Sequence, residues 1–163
     1  MLFRSGVSFF QIRLSAKQLF TRGDSPDVLL CFNQEAFEVN IQELVPNGLL
    51  IYDPESVTPR NTERYRLLSF PLEQIASKQL KMPIVKNVVA LGGMAALFSL
   101  DTEILYGLIR ELWERKGDAV VQTNFKALEA GLKYVQEHVS SVDLERFHII
   151  PRSEEHTSEL QSP

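Results

Sequence analysis

The sequence predicts an α/β fold: a Rossmann-like, mostly parallel sheet with helices on both faces and a helical C-terminal third. Two continuous apolar runs, residues 27–32 (Asp-Val-Leu-Leu-Cys-Phe) and 48–53 (Gly-Leu-Leu-Ile-Tyr-Asp), read as strands buried on both faces, as parallel sheets require. The stretch between them has helical spacing, so strand, helix and strand make a βαβ unit whose crossover is expected to be right-handed. Beyond residue 85 the apolar pattern is helical.

Each element follows from local chemistry. Residues 7–14 alternate Phe10, Ile12 and Leu14 with Gln11 and Arg13, which is strand periodicity. A short turn at 15–17 allows 18–21 to return as a hairpin arm, and 22–26 (Arg-Gly-Asp-Ser-Pro) is loop chemistry. After the 27–32 strand, Asn33 is placed as a helix N-cap, with Phe32 and Phe37 as a hydrophobic staple. Phe37, Ile41 and Leu44 carry the inward face, and Pro46-Asn47-Gly48 ends the helix.

The 48–53 strand is followed by polar loop at 54–63, a third strand at 65–70 and a short helix at 71–77. Residues 85–100 are too long and apolar for one strand and read as a buried helix. Its Gly92-Gly93 pair lacks the Lys-Ser/Thr of a phosphate loop and is read as a site of close helix packing. Asp101 caps the next helix, with Leu100 and Leu105 as staple. Ile104, Leu105, Leu108, Ile109, Leu112 and Trp113 form its apolar stripe. Arg115 and Lys116 complement the helix dipole, and Gly117 is read as a left-handed C-cap. Asp118 opens a third long helix, with Val121, Phe125, Leu128, Leu132 and Val135 on one face.

Composition narrows the function. The chain has 163 residues, 44% hydrophobic and 23% charged, and a formal charge of −4. That suits one globular domain. An acidic balance argues against nucleic acid as a partner, and no apolar run is long enough to cross a membrane. Cys31 is the single cysteine, which excludes an internal disulfide, a cysteine-based zinc site and a cluster ligated by this chain alone. A reducing, cytoplasmic compartment is expected. Residues 152–163 read as one frame of a sequencing-adapter oligonucleotide, and residues 1–5 resemble the end of its partner. Both are set aside from the fold, leaving a domain over 6–139 and a linker over 140–151. The tail has no apolar face and is expected to lie off the domain.

Convergent acids, bases or nucleophiles are not evident, so no catalytic and no metal-ligating residue is assigned. His138 falls at a helix C-terminus, His148 in the following segment, Cys31 in a buried strand, and Ser8 on a strand with no base nearby. Ligands of open α/β sheets bind beyond the carboxyl ends of the strands. That places Asn33, Gln34 and Asp53 as the candidate ligand-edge residues.

Three stretches resemble a known family. Residues 6–15 (Gly-Val-Ser-Phe-Phe-Gln-Ile-Arg-Leu-Ser) resemble the strand after its Arg-Gly-Gly motif. Residues 27–36 with 46–53 resemble its central βαβ unit. Residues 86–97 (Lys-Asn-Val-Val-Ala-Leu-Gly-Gly-Met-Ala-Ala-Leu), with Lys116-Gly117 and 124–131, resemble its helical C-terminal third. Together they resemble the γ domain of 2-oxoacid:ferredoxin oxidoreductases, in the arrangement with γ fused ahead of α. The resemblance implies a CoA-dependent oxidative decarboxylation of a 2-oxoacid to acyl-CoA with ferredoxin reduction. Thiamine diphosphate, iron–sulfur clusters and coenzyme A serve the parent complex, and this segment is expected to bind none of them. Its implied partners are the α and β parts, and ferredoxin through the complex. The family's Gly-rich N-terminal turn has no counterpart, which implies N-terminal truncation. An open sheet edge there, and apolar surface on the 85–100 helix, are expected to drive association. A free-standing α/β module for a small molecule or nucleotide is the alternative.

Overall fold

The computed structural model describes residues 10–13 and 25–147. Three strands, β1 (Val28–Cys31), β2 (Leu49–Tyr52) and β3 (Arg66–Ser69), form one sheet in that order. Both pairings are parallel, with Val28 opposite Leu49 and Leu49 opposite Arg66. The expected α/β architecture and the parallel pairing of the two apolar runs are thus present.

Strand alternation sends successive side chains to opposite faces, and two cores result. On one face Leu50 and Cys31 pack with Phe37, Ile41, Leu44, Val57 and Tyr65. On the other, Leu49 and Ile51 pack with Phe70, Leu72 and the C-terminal helices. The first face is covered by α1 (Gln34–Asn40), continued by a 3₁₀ turn at Ile41–Glu43. Asn33 caps α1 as expected: its side chain accepts a 2.8 Å bond from the Ala36 amide. The staple does not form. Phe32 packs against the larger core and Phe37 lies in the smaller one, because the strand-to-helix bend turns the two rings to opposite faces.

The larger face carries α2 (Lys86–Phe98), α3 (Thr102–Trp113), α4 (Asp118–His138) and α5 (Ser141–Phe147). Helices α2 and α4 make the most extensive contact between elements. A Cβ on Gly92 would overlap the Leu128 carbonyl, one on Gly131 the Val89 carbonyl, and one on Gly93 the ring of Phe70. The helices therefore meet backbone to backbone, as read from Gly92-Gly93, and Gly131 supplies the matching gap. Most of α2 is buried by its own domain: Val88, Val89, Ala90, Ala95 and Leu97 are all inside. The expectation of an exposed α2 face is corrected accordingly.

Other expectations change in detail. Residues 10–13 carry no regular structure, and Phe10 and Ile12 are exposed. An alternating pattern becomes strand only where a neighbouring strand and a core receive it. The remainder of that expected strand, Ser8, the turn and hairpin arm at 15–21, His148 and the tail at 152–163 lie outside the described residues. The short helix expected at 71–77 winds as a π-helix over Gln74–Gln79. Gly117 has φ 98° and ψ 155° and follows a 3₁₀ turn at Glu114–Lys116, so it is extended at positive φ rather than left-handed helical. Ser99, at φ 53° and ψ 43°, is the left-handed cap of α2. Residues 141–147 form α5 within the stretch read as a linker. Ser140 and Asp143 bond each other through side chain and backbone, a capping pair that starts the helix.

Adding one methyl group where two backbones touch overpacks the core, at a typical cost of about 1–3 kcal/mol. Gly92→Ala is expected at the upper end of that range, seen as a lower urea midpoint at unchanged m-value. Gly107→Ala, on the open side of α3, is expected to show no such loss.

Candidate functional site

The carboxyl ends of the strands converge on one edge of the sheet. Asn33 and Gln34 follow β1, Asp53 follows β2, and Phe70 follows β3. Gln34, at the start of α1, accepts a 2.8 Å bond from the Thr58 amide and donates a 3.0 Å bond to Glu38. Asp53 is fully buried. One of its carboxylate oxygens accepts the Glu55 amide at 3.2 Å and the other the Glu73 amide at 3.1 Å. Its carbonyl accepts from the amides of Ser56 and Val57. Asp53 thereby closes the turn after β2 and holds the helical segment after β3. The structure brings Asn33, Gln34 and Asp53 to one edge and engages the side chain of each within the chain.

A second layer surrounds them. Glu73 accepts from the Ser77 hydroxyl and pairs with Lys86 at 3.3 Å. The Ser77 bond first, then Lys86, holds the Glu73 carboxyl below its ordinary value. Lys78 pairs with Glu55. Tyr134 of α4 donates a 2.7 Å bond to the Ser69 carbonyl and stacks on Phe70 at 4.9 Å. His138 stacks in turn on Tyr134 at 4.1 Å, its Nδ1 lying 2.9 Å from the Tyr134 carbonyl. Burial, and then neighbouring Tyr52, raise the Tyr134 hydroxyl above its usual pKa. Residue spacing shows Tyr134 and His138 on one face of a helix. Phe70 completes the stack only through the fold, and that is why the edge role of Tyr134 was not foreseen.

Cys31 is buried within the smaller core, and burial pushes its thiol up to about 12. Such a thiol is neither nucleophile nor ligand at neutral pH. Among the described residues, no group of three or more His, Cys, Asp or Glu side chains is placed to hold a metal ion. The residues present do not fit an iron–sulfur cluster, whose four thiolates one cysteine cannot supply.

With this geometry in place, comparison with known proteins decides the family. The model of the pyruvate ferredoxin/flavodoxin oxidoreductase family matches residues 1–134. The chain belongs to that family. It is similar to the 2-oxoglutarate oxidoreductase subunit KorA of Mycobacterium tuberculosis, with 30% identity over 152 residues, covering 79% of this chain and 23% of that subunit. A solved 2-oxoglutarate:ferredoxin oxidoreductase from Magnetococcus marinus, with 2-oxoglutarate, coenzyme A and succinyl-CoA bound, superposes with a TM-score of 0.74 and 27% identity. That likeness covers 86% of this chain and 24% of the other. The gamma subunit of a keto/oxoacid ferredoxin oxidoreductase from Geobacter sulfurreducens gives a TM-score of 0.57 and 29% identity, covering 68% of this chain and 64% of that subunit. The chain thus spans about a quarter of the Mycobacterium and Magnetococcus polypeptides.

Two outcomes are expected. Asp53→Ala leaves the Glu55 and Glu73 amides without their acceptors, and is expected to cost about 2–3 kcal/mol, measured by chemical denaturation. Cys31 is expected to resist a thiol reagent at pH 8 in the native chain and to react fully once urea unfolds it.

Proposed function

We propose that this chain is the γ-type segment of a CoA-dependent 2-oxoacid:ferredoxin oxidoreductase and performs no bond-making step itself. The edge geometry carries this reading. Polar side chains that could have met a substrate are spent on the fold: Asn33 on α1, Gln34 on the Thr58 loop, and Asp53 on two separate turns. A general acid or base must reach the proton it moves, and a fully buried carboxylate with two amide partners reaches only those.

The enzyme assignment is supported by the relatives, whose names cover 2-oxoglutarate and keto/oxoacid substrates. In this reading thiamine diphosphate, iron–sulfur clusters and coenzyme A belong to the parent complex, where the cofactors carry the hard chemistry. The thiamine-binding α and β parts are its partners, and ferredoxin takes the electrons through the complex. A cytoplasmic compartment fits the lone, buried Cys31. No helix among the described residues is long and apolar enough to cross a membrane.

The 163-residue chain alone is expected to form no acyl-CoA from 2-oxoglutarate or 2-oxoisovalerate with coenzyme A and a viologen acceptor. The same chain purified within its complete enzyme is expected to turn over. Product from the chain alone would refute the non-catalytic role, and an inactive complete enzyme would refute the oxidoreductase.

A further inference from the structure

Helix α3 carries more apolar surface than the described residues cover. Ile109 is buried and Leu105 and Trp113 are half-buried, yet Ile104, Leu108 and Leu112 are 61%, 49% and 68% exposed. Spacing of four residues aligns those three in a ridge along one flank. On the opposite flank a depression of about 540 Å³ is lined by Glu103, Tyr106, Gly107, Arg110, Phe125 and Glu129. Tyr106 meets Phe125 edge to face at 4.9 Å there.

Gly107 lines the depression on the side nearest the ridge, in mid-helix. A glycine there weakens a helix relative to alanine. Gly92, Gly93 and Gly131 offset that cost through close packing inside the domain, but a Cβ on Gly107 would meet nothing within 4 Å. The close approach that would justify Gly107 is therefore not made within the described residues.

We infer that the outer face of α3, centred on Gly107 and flanked by Ile104, Leu108 and Leu112, docks the larger remaining part of the enzyme's own polypeptide. This rests on the γ-type reading above. The occupant follows from size. The Mycobacterium subunit and the Magnetococcus chain continue well past this segment, which spans 23% and 24% of them, whereas the Geobacter gamma subunit is a shorter chain of which it spans 64%. A second copy would need about 800 Å² per partner to hold by itself, far more than three aliphatic side chains offer. A covalently joined neighbour meets the same ridge at high effective concentration, and a bare glycine admits its backbone closely.

The test places a thiol on the ridge by Leu108→Cys and follows maleimide labelling of that peptide by mass spectrometry, in the 163-residue chain and in the complete enzyme. Labelling is expected to be at least about tenfold slower in the complete enzyme, since burial of the site blocks the reagent. Adding Gly107→Gln is expected to restore fast labelling there, while raising the thermal midpoint of the chain alone by about 2–4 °C. Equal labelling rates in chain and enzyme overturn the docking face, as does continued protection with Gly107→Gln. A disulfide joining two copies through the introduced thiol assigns the face to self-association and also overturns it. If the chain purifies with no further polypeptide, the γ-type reading falls and this inference with it.

Discussion

The fold depends on one contact, the meeting of α2 and α4 at Gly92 and Gly131. Side chains normally keep helix axes about 8–10 Å apart. Here the Cα hydrogens of Gly92 and Gly131 face the carbonyls of Leu128 and Val89. The pair becomes a slab thin enough for Val89, Leu128 and Val135 to reach the sheet while Ile109 of α3 still joins the same core. Gly93 extends this inward, since its missing side chain is the space that the Phe70 ring occupies. The end of β3, the helix pair and the aromatic stack on Tyr134 are thus set by one arrangement.

From that slab the carboxyl edge of the sheet follows. Phe70 is fixed by Gly93, Tyr134 stacks on Phe70 and bonds the Ser69 carbonyl, and Asp53 ties the end of β2 to the amide of Glu73. A buried carboxylate is tolerated only when hydrogen bonds replace its water, and the two backbone amides do that. Ligand-binding α/β proteins leave polar groups open at this edge. Here they tie neighbouring loops together, which suits a segment that shapes a larger assembly. Acid works against the same edge. Glu73 is held below its ordinary value by Ser77 and Lys86, so the stability it lends is present above about pH 4.5 and fades as pH falls through its lowered folded-state value.

Much of this was legible in the residues. The two apolar runs named β1 and β2 and their parallel pairing, Asn33 named the cap, and Gly92-Gly93 named the close helix contact. Elements with one strong local signal were read well. Contacts that join distant segments were not: Asp53 looked open at a strand end, because the Glu73 amide that donates to it lies 20 residues on. Phe32 and Phe37 had staple spacing, but the sheet separates their faces. The six-residue apolar stripe of α3 was legible, but spacing did not separate Ile109, Leu105 and Trp113, which the described residues cover, from Ile104, Leu108 and Leu112, which they do not. Ser140 and Asp143 carried a capping signal for α5 within the stretch read as a linker.

Native-state hydrogen exchange measures the central contact most directly, because amides that open only with the whole molecule report the global unfolding free energy. If the α2–α4 contact holds the fold together, the amides of residues 89–93 and 128–135 are the slowest to exchange, and their opening free energy equals that from denaturant unfolding of the same chain. Exchange of those amides through a cheaper local opening, with β1 and β2 still protected, would show instead that the sheet stands without the helix pair.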